Sequence, residues 1–174
     1  QYINPQGQTW TTLDAVQSAG HRNVFSALEP GLTAVVTEPK FAIGQRAHLI
    51  ETPAGNVLWD CVTHVDDATV AEITRRGGIA AIAISHPHFF TTIREWGRAF
   101  DAPVWLHRDH EPWVMEPSAE IHYWEGEAST LLPGITLLRC GGHFPGSTAL
   151  HWAAQRSPRN RSNAWFSKLR ARWP

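Results

Sequence analysis

The chain has 174 residues, 43% hydrophobic and 18% charged, enough to build a core as one domain and too apolar for a disordered chain. Its net charge of -1 hides an asymmetry: all 16 acidic residues lie at or before Glu127, and only basic charges follow, from Arg139 to Arg172. No apolar run reaches the roughly 20 residues of a membrane-spanning helix, and two cysteines, Cys61 and Cys140, make no disulfide framework, so a reducing, cytoplasmic setting is expected.

The chain opens on Gln1 rather than Met, as a fragment or processed form does, and residues 1–30 read as polar and irregular apart from a short helix over 12–19, capped by Thr11 or Thr12. Residues 32–38 form a strand candidate ended by Pro39. Two more strands, 47–51 and 57–60, flank a turn with the Pro and Gly of a hairpin loop. Residues 66–76 predict an amphipathic helix, with Asp66 and Asp67 at its positive end, Arg75 and Arg76 at its negative end, and Gly77 and Gly78 to stop it. The Ile and Ala run over 79–85 reads as a strand buried on both faces, with His86, Pro87 and His88 at its end. A second helix is predicted over 91–100, a strand over 103–106 leading into His107, and a helical turn over 112–115. Strands over 121–124, 135–139 and 148–152 complete the chain, with Gly141, Gly142 and His143 in a loop. This alternation predicts a mixed α/β (α+β) architecture.

Ligands in open α/β sheets gather beyond the carboxyl ends of strands. Three such ends carry histidines here: His86 with His88, His107 with His110, and His143. Pro87 stiffens the turn between two imidazoles, and two glycines let the backbone before His143 approach closely. His86, His88 and His143 are therefore the candidate metal ligands, with three protein donors and an open position as in a catalytic zinc site. His107, Asp109 and His110 are a second cluster, which supplies either a fourth ligand, a proton shuttle, or only a polar helix start capped by Asp109. Cys140 is close enough in sequence to His143 to line the site, though no second cysteine pairs with it as a CxxC. Among the nine tryptophans, Trp59, Trp105, Trp124 and Trp152 read as core, while Trp96 and Trp113 are candidates to line an apolar pocket with Phe89 and Phe90.

The segments AISHPH over 83–88 and GHFPGST over 142–148 resemble the metallo-β-lactamase fold superfamily of hydrolases, and IETPAGNVLWD over 50–60 resembles its early hairpin. The similarity runs from about residue 32 to 152. It implies an αββα sandwich, of which this chain would hold only the N-terminal portion, and hydrolysis of an ester, thioester, amide or phosphodiester by metal-activated water. His86 and His88 match the first two histidines of the H-x-H-x-D-H motif, and His143 matches that of the G-H-x-P-G-S loop. One zinc ion is expected, with iron or manganese as alternatives. Phe90 and Thr91 stand where the motif has the Asp and His of a second metal, and no acidic residue after Glu127 supplies the family's bridging Asp. Asp60 and Asp109 are the remaining carboxylates to orient a water, Asp60 more simply by hydrogen bonding to the 86–88 loop.

Two functions stand from this reading: a metal-dependent hydrolase acting on a small-molecule substrate, or a non-catalytic, truncated relative that binds metal weakly or a partner through its tail. The domain is expected over 1–153. Residues 154–174 are a basic tail that is an aberrant terminus, a short helix with Trp165, Leu169 and Trp173 on one face, or a disordered end. Only this tail is basic, so no nucleic acid is expected as a partner. A partial sandwich leaves a sheet face to cover, for which a homo-oligomer is one solution.

Overall fold

A computed structural model describes residues 11–153. The tail at 154–174, with its three readings, lies outside the described residues. Helix α1, Leu13–Ser18, begins where the Thr12 side chain accepts from the Ala15 amide. Strand β1, Arg22–Glu29, then pairs antiparallel with β2, Leu32–Glu38, across a turn at Pro30 and Gly31. Residues 22–29 are therefore a strand, not irregular chain. Its side chains are half-buried or exposed throughout, so it carries no apolar alternation for a sequence reading to find.

Strands β3, Arg46–Ile50, and β4, Val57–Trp59, form the expected hairpin, whose turn is closed by Thr52 Oγ1 donating to the Gly55 carbonyl at 2.7 Å. From β4 onward the pairing changes. Strands β5, Ala81–Ala83, β6, Val104–His107, and β7, Ile121–Trp124, run parallel to β4 and to one another. Parallel neighbours need crossovers, and helices α2, Asp67–Arg75, and α3, Ile93–Phe100, supply the first two. The result is one seven-stranded sheet in chain order, β1 to β7.

Helix α2 starts at Asp66, whose carboxylate accepts from the Thr69 amide at 2.8 Å. It ends where the Asn56 side-chain Nδ2 donates to the carbonyls of Arg76 and Gly78, at 2.9 and 3.0 Å. Helix α3 starts at Thr92 and stops at Asp101 in a left-handed conformation. Its Trp96 is fully buried, with Nε1 donating to the Val62 carbonyl at 2.8 Å, so it belongs to the core and not to a pocket wall.

A second, antiparallel sheet follows in the order β10-β9-β8, formed by β8, Ala128–Leu132, β9, Ile135–Arg139, and β10, Thr148–Trp152. Alternate residues of the large sheet face opposite ways. Leu58, Ile82, Ile84, Val104 and Leu106 pack with Ile73 of α2 and Ile93 and Trp96 of α3. Ile50, Val57, Trp59, Ala83 and Trp124 face the other way, against Ile135, Leu137 and Leu150 of the small sheet. The layers thus run helices, large sheet, small sheet, each held by aliphatic side chains contributing roughly 1.5–3 kcal/mol apiece on burial. Of the four tryptophans expected in the core, Trp124 is buried and Trp59, Trp105 and Trp152 are half-buried, all four in contact with these clusters. Among the described residues no helix is long and apolar enough to cross a membrane.

Candidate metal centre

The carboxyl ends of the parallel strands share one edge. Asp60 follows β4, Ser85 and His86 follow β5, and His107 ends β6. His86 is extended, and Pro87 then opens a 3₁₀ turn, Pro87–Phe89, that carries His88. His143 arrives from the other sheet, on the loop between β9 and β10. Gly141 and Gly142 both take positive φ there, 61° and 88°, which side chains rarely adopt. The loop is closed by Ser147, whose Oγ accepts from the Phe144 amide at 3.0 Å and whose carbonyl accepts from the Cys140 amide at 2.7 Å. The Thr148 amide then donates to the Ser85 carbonyl at 2.9 Å.

These connections bring His86, His88 and His143 together. One ring nitrogen of each lies within 4.8 Å of the other two, and among the described residues this is the only such group of metal-ligating side chains. His88 and His143 are exposed and His86 is half-buried, so the donors open to solvent on one side. Burial, with His88 and His143 as neighbours, brings the pKa of His86 down to about 4, so it is a neutral imidazole at physiological pH. Three imidazoles, one of them held neutral, with an open side fit a first-row divalent metal such as zinc.

His86 is oriented from behind. Asp60 adopts a left-handed conformation, φ 61°, and its carboxylate accepts from the Ser85 amide at 2.7 Å and from Ser85 Oγ at 3.0 Å. Ser85 Oγ also lies 2.8 Å from His86 Nδ1. A hydroxyl has one proton, so when Asp60 accepts it, His86 Nδ1 must carry its own proton toward Oγ. Nε2 is then left with its lone pair free for a metal. Burial raises the Asp60 pKa to about 7, against the two hydrogen bonds from Ser85 that lower it. Nothing in the sequence marked Ser85 except its place as the polar residue ending an apolar run. Gln45 was also missed. Its Nε2 donates to the His88 carbonyl at 2.6 Å, and its Oε1 accepts from Thr63 Oγ1 at 2.7 Å, fixing the turn from the β2–β3 side.

Asp109 does not cap a helix. It pairs with Arg139, Nη2 to Oδ2 at 2.7 Å, while the cap of its 3₁₀ segment, Arg108–Trp113, is His107, whose Nδ1 accepts from the Asp109 amide at 3.1 Å. His107 Nε2 lies 3.1 Å from the Gly126 carbonyl, so both its ring nitrogens are engaged. His110 is fully buried, and burial with His107 and His86 nearby brings its pKa to about 4. Cys140 is exposed and directs its thiol to the Leu138 carbonyl. The aromatic surroundings are Phe89 edge-on to His86, Phe144 against all three histidines, and Trp113 edge-on to Phe144 with ring centres 5.1 Å apart.

No protein-family model matches the chain. It is 50% identical over 154 residues to uncharacterized protein YmaE of Bacillus subtilis (strain 168), an alignment covering 88% of this chain and 56% of that one. The chain thus spans just over half the length of this curated relative. Among solved structures, the DIM-1 metallo-β-lactamase exposed to ceftazidime aligns with a TM-score of 0.60 at 14% identity, over 75% of this chain and 65% of the other. FIM-1 from Pseudomonas aeruginosa, in its mono-zinc form, aligns with a TM-score of 0.57 at 16% identity, over 74% and 63%. TTHA1623 in a di-iron-bound form aligns with a TM-score of 0.54 at 25% identity, over 64% and 63%. With its layers of helices and two sheets and its three histidines gathered at the sheet edge, the chain has the metallo-β-lactamase fold.

Proposed function

We propose that the chain forms the metal centre of a hydrolase, in which His86, His88 and His143 hold one zinc ion, with iron or manganese as alternatives. The observation that carries this is the convergence of three imidazole nitrogens within 4.8 Å at the carboxyl edge of a parallel sheet. That structures sharing the fold include a mono-zinc and a di-iron form supports metal binding by this chain. A bound ion would supply Lewis acidity and water activation at neutral pH.

The chain's own residues do the rest. Asp60 acts through Ser85 to hold His86 in the tautomer that offers Nε2, and Gln45 holds the His88 backbone in place. Asp109, neutralised by Arg139, holds the 3₁₀ segment beside the site rather than reaching the substrate. Phe89, Phe144 and Trp113 present an apolar wall beside the histidines, which suits a small ester, thioester, amide or phosphodiester with an apolar substituent.

A second reading is a non-catalytic metal binder. It is favoured by the ligand group itself, which contains no carboxylate among the described residues, with Phe90 and Thr91 just past the histidines. Elemental analysis of the purified chain beside an H86A/H143A variant tests both, followed by assays with p-nitrophenyl acetate, an acyl thioester and bis(p-nitrophenyl) phosphate. Near-stoichiometric metal and turnover, both lost in the variant, support the hydrolase. Metal without turnover of any substrate supports the second reading. A parent chain that takes up no metal, even with zinc added, sinks both.

A further inference from the structure

One buried imidazole at this edge has no hydrogen-bond partner. His110 is 0% exposed, and neither Nδ1 nor Nε2 has a hydrogen-bond partner. Leaving buried polar atoms unpaired costs about 1–3 kcal/mol each. Its neighbour His107 shows the contrast, with one ring nitrogen on the Asp109 amide and the other at the Gly126 carbonyl.

The place of His110 is as informative as its lack of partners. Its 3₁₀ segment follows β6, so His110 comes from a third loop at the edge that holds the other three histidines. Its ring packs edge-on against Phe90, two residues past His88, with centres 5.6 Å apart. On its other side is Gly146, three residues past His143. A Cβ there would lie 2.8 Å from His110 Cδ2 and 3.0 Å from Nε2, so only a glycine lets the loop close over this ring. The imidazole is therefore wedged between the two loops that carry the triad.

We propose that His110 is a fourth imidazole donor to the ion held by His86, His88 and His143. This rests on the reading of those three as ligands. Zinc–nitrogen bonds of about 2.0–2.1 Å hold neighbouring donors closer together than the 4.8 Å span of the triad, and a five-coordinate ion with four imidazoles keeps one position for water on the side where His88 and His143 are exposed. His110 lies outside that 4.8 Å group, so its part in the site requires the 86–90 and 143–146 loops, both packed against its ring, to draw in around a bound ion. Its two unpaired nitrogens then become one metal bond and one donor directed away from the ion.

The test uses the full chain, with H110L and H88A beside the parent. Zinc affinity is measured by competition with a chromophoric chelator, and the cobalt(II) absorption spectrum reports the donor set. In H110L, the affinity falls by at least about tenfold and the cobalt bands shift, while the metal-free variant melts no lower than the parent because an unpaired imidazole has left the core. Unchanged affinity and spectrum in H110L, with metal lost in H88A, overturn the proposal and leave the three-histidine site standing. A parent that binds no zinc overturns both. Should H110L fail to fold, X-ray absorption of the zinc-loaded parent decides: four imidazoles bear the proposal out, and three overturn it.

Discussion

The Thr148 amide donates to the Ser85 carbonyl at 2.9 Å, joining the first residue of β10 to the residue that precedes His86. Ser85 thereby faces two ways. Its backbone carbonyl holds the loop bearing His143, and its hydroxyl links Asp60 to the His86 ring. Small changes behind the histidines should therefore be read at the metal.

Asp60→Asn tests that link most directly, because asparagine also tolerates the left-handed backbone at this position. The substitution replaces one of the two carboxylate oxygens that hold Ser85 with an NH2 group, so the order of the Ser85 hydroxyl, and hence of the His86 tautomer, is lost. Zinc affinity is expected to fall by roughly 10–100-fold. Chelator competition measures it, and an affinity equal to that of the parent would show that the tautomer is set elsewhere.

The same carboxylate predicts a pH dependence of stability in the metal-free chain. Burial lifts Asp60 from 3.8 to about 7, so the folded state holds its proton more tightly than the unfolded state. Folding then takes up a proton between those values, and this contribution to stability falls as pH rises from about 4 to about 7 and flattens above. Urea midpoints with chelator present, at pH 5 and pH 8, should drop more in the parent than in D60N. Equal drops would refute the assignment.

Asn56→Ala should cost stability without touching the site. The Asn56 side chain serves the carbonyls of Arg76 and Gly78 at the end of α2, and its removal leaves both without that donor. A loss of about 1–3 kcal/mol is expected in urea unfolding, with metal stoichiometry unchanged.

Trp113→Ala addresses substrate rather than metal. The indole is 49% exposed and rests edge-on against Phe144, so little core packing is lost with it. A substrate with an aryl or long acyl group should show a severalfold rise in KM, with kcat and zinc affinity near those of the parent. A fall in kcat alone would place Trp113 in a different role.

The parts of the fold that were legible in the sequence are those where burial and periodicity coincide. The apolar run ending in His86 and the 66–76 helix with its caps are such cases. Strand β1 was hidden because none of its eight residues is fully buried, and β8 because Ala128, Ser129 and Thr130 look like loop. The histidine triad could be read because a short His-Pro-His spacing and a glycine-flanked histidine are local patterns. Partnerships between distant residues could not. Asp109 read as a free acid because Arg139, which neutralises it, lies 30 residues away, and the Ser85 hydroxyl gained its meaning only from Asp60, 25 residues before it. Trp96 read as a pocket residue because its partner, the Val62 carbonyl, is brought to it by the packing of α3.

The origin of the three histidines on two sheets has a mechanical consequence. His86 and His143 are separated by most of the large sheet's later strands and by the first two strands of the small one. An ion bound by both is a staple across the sandwich, present only when the layers are docked. At a free metal concentration 1,000 times its dissociation constant, it would add about 4 kcal/mol to folding. Melting with and without chelator would then read out how firmly the small sheet is held against the large one.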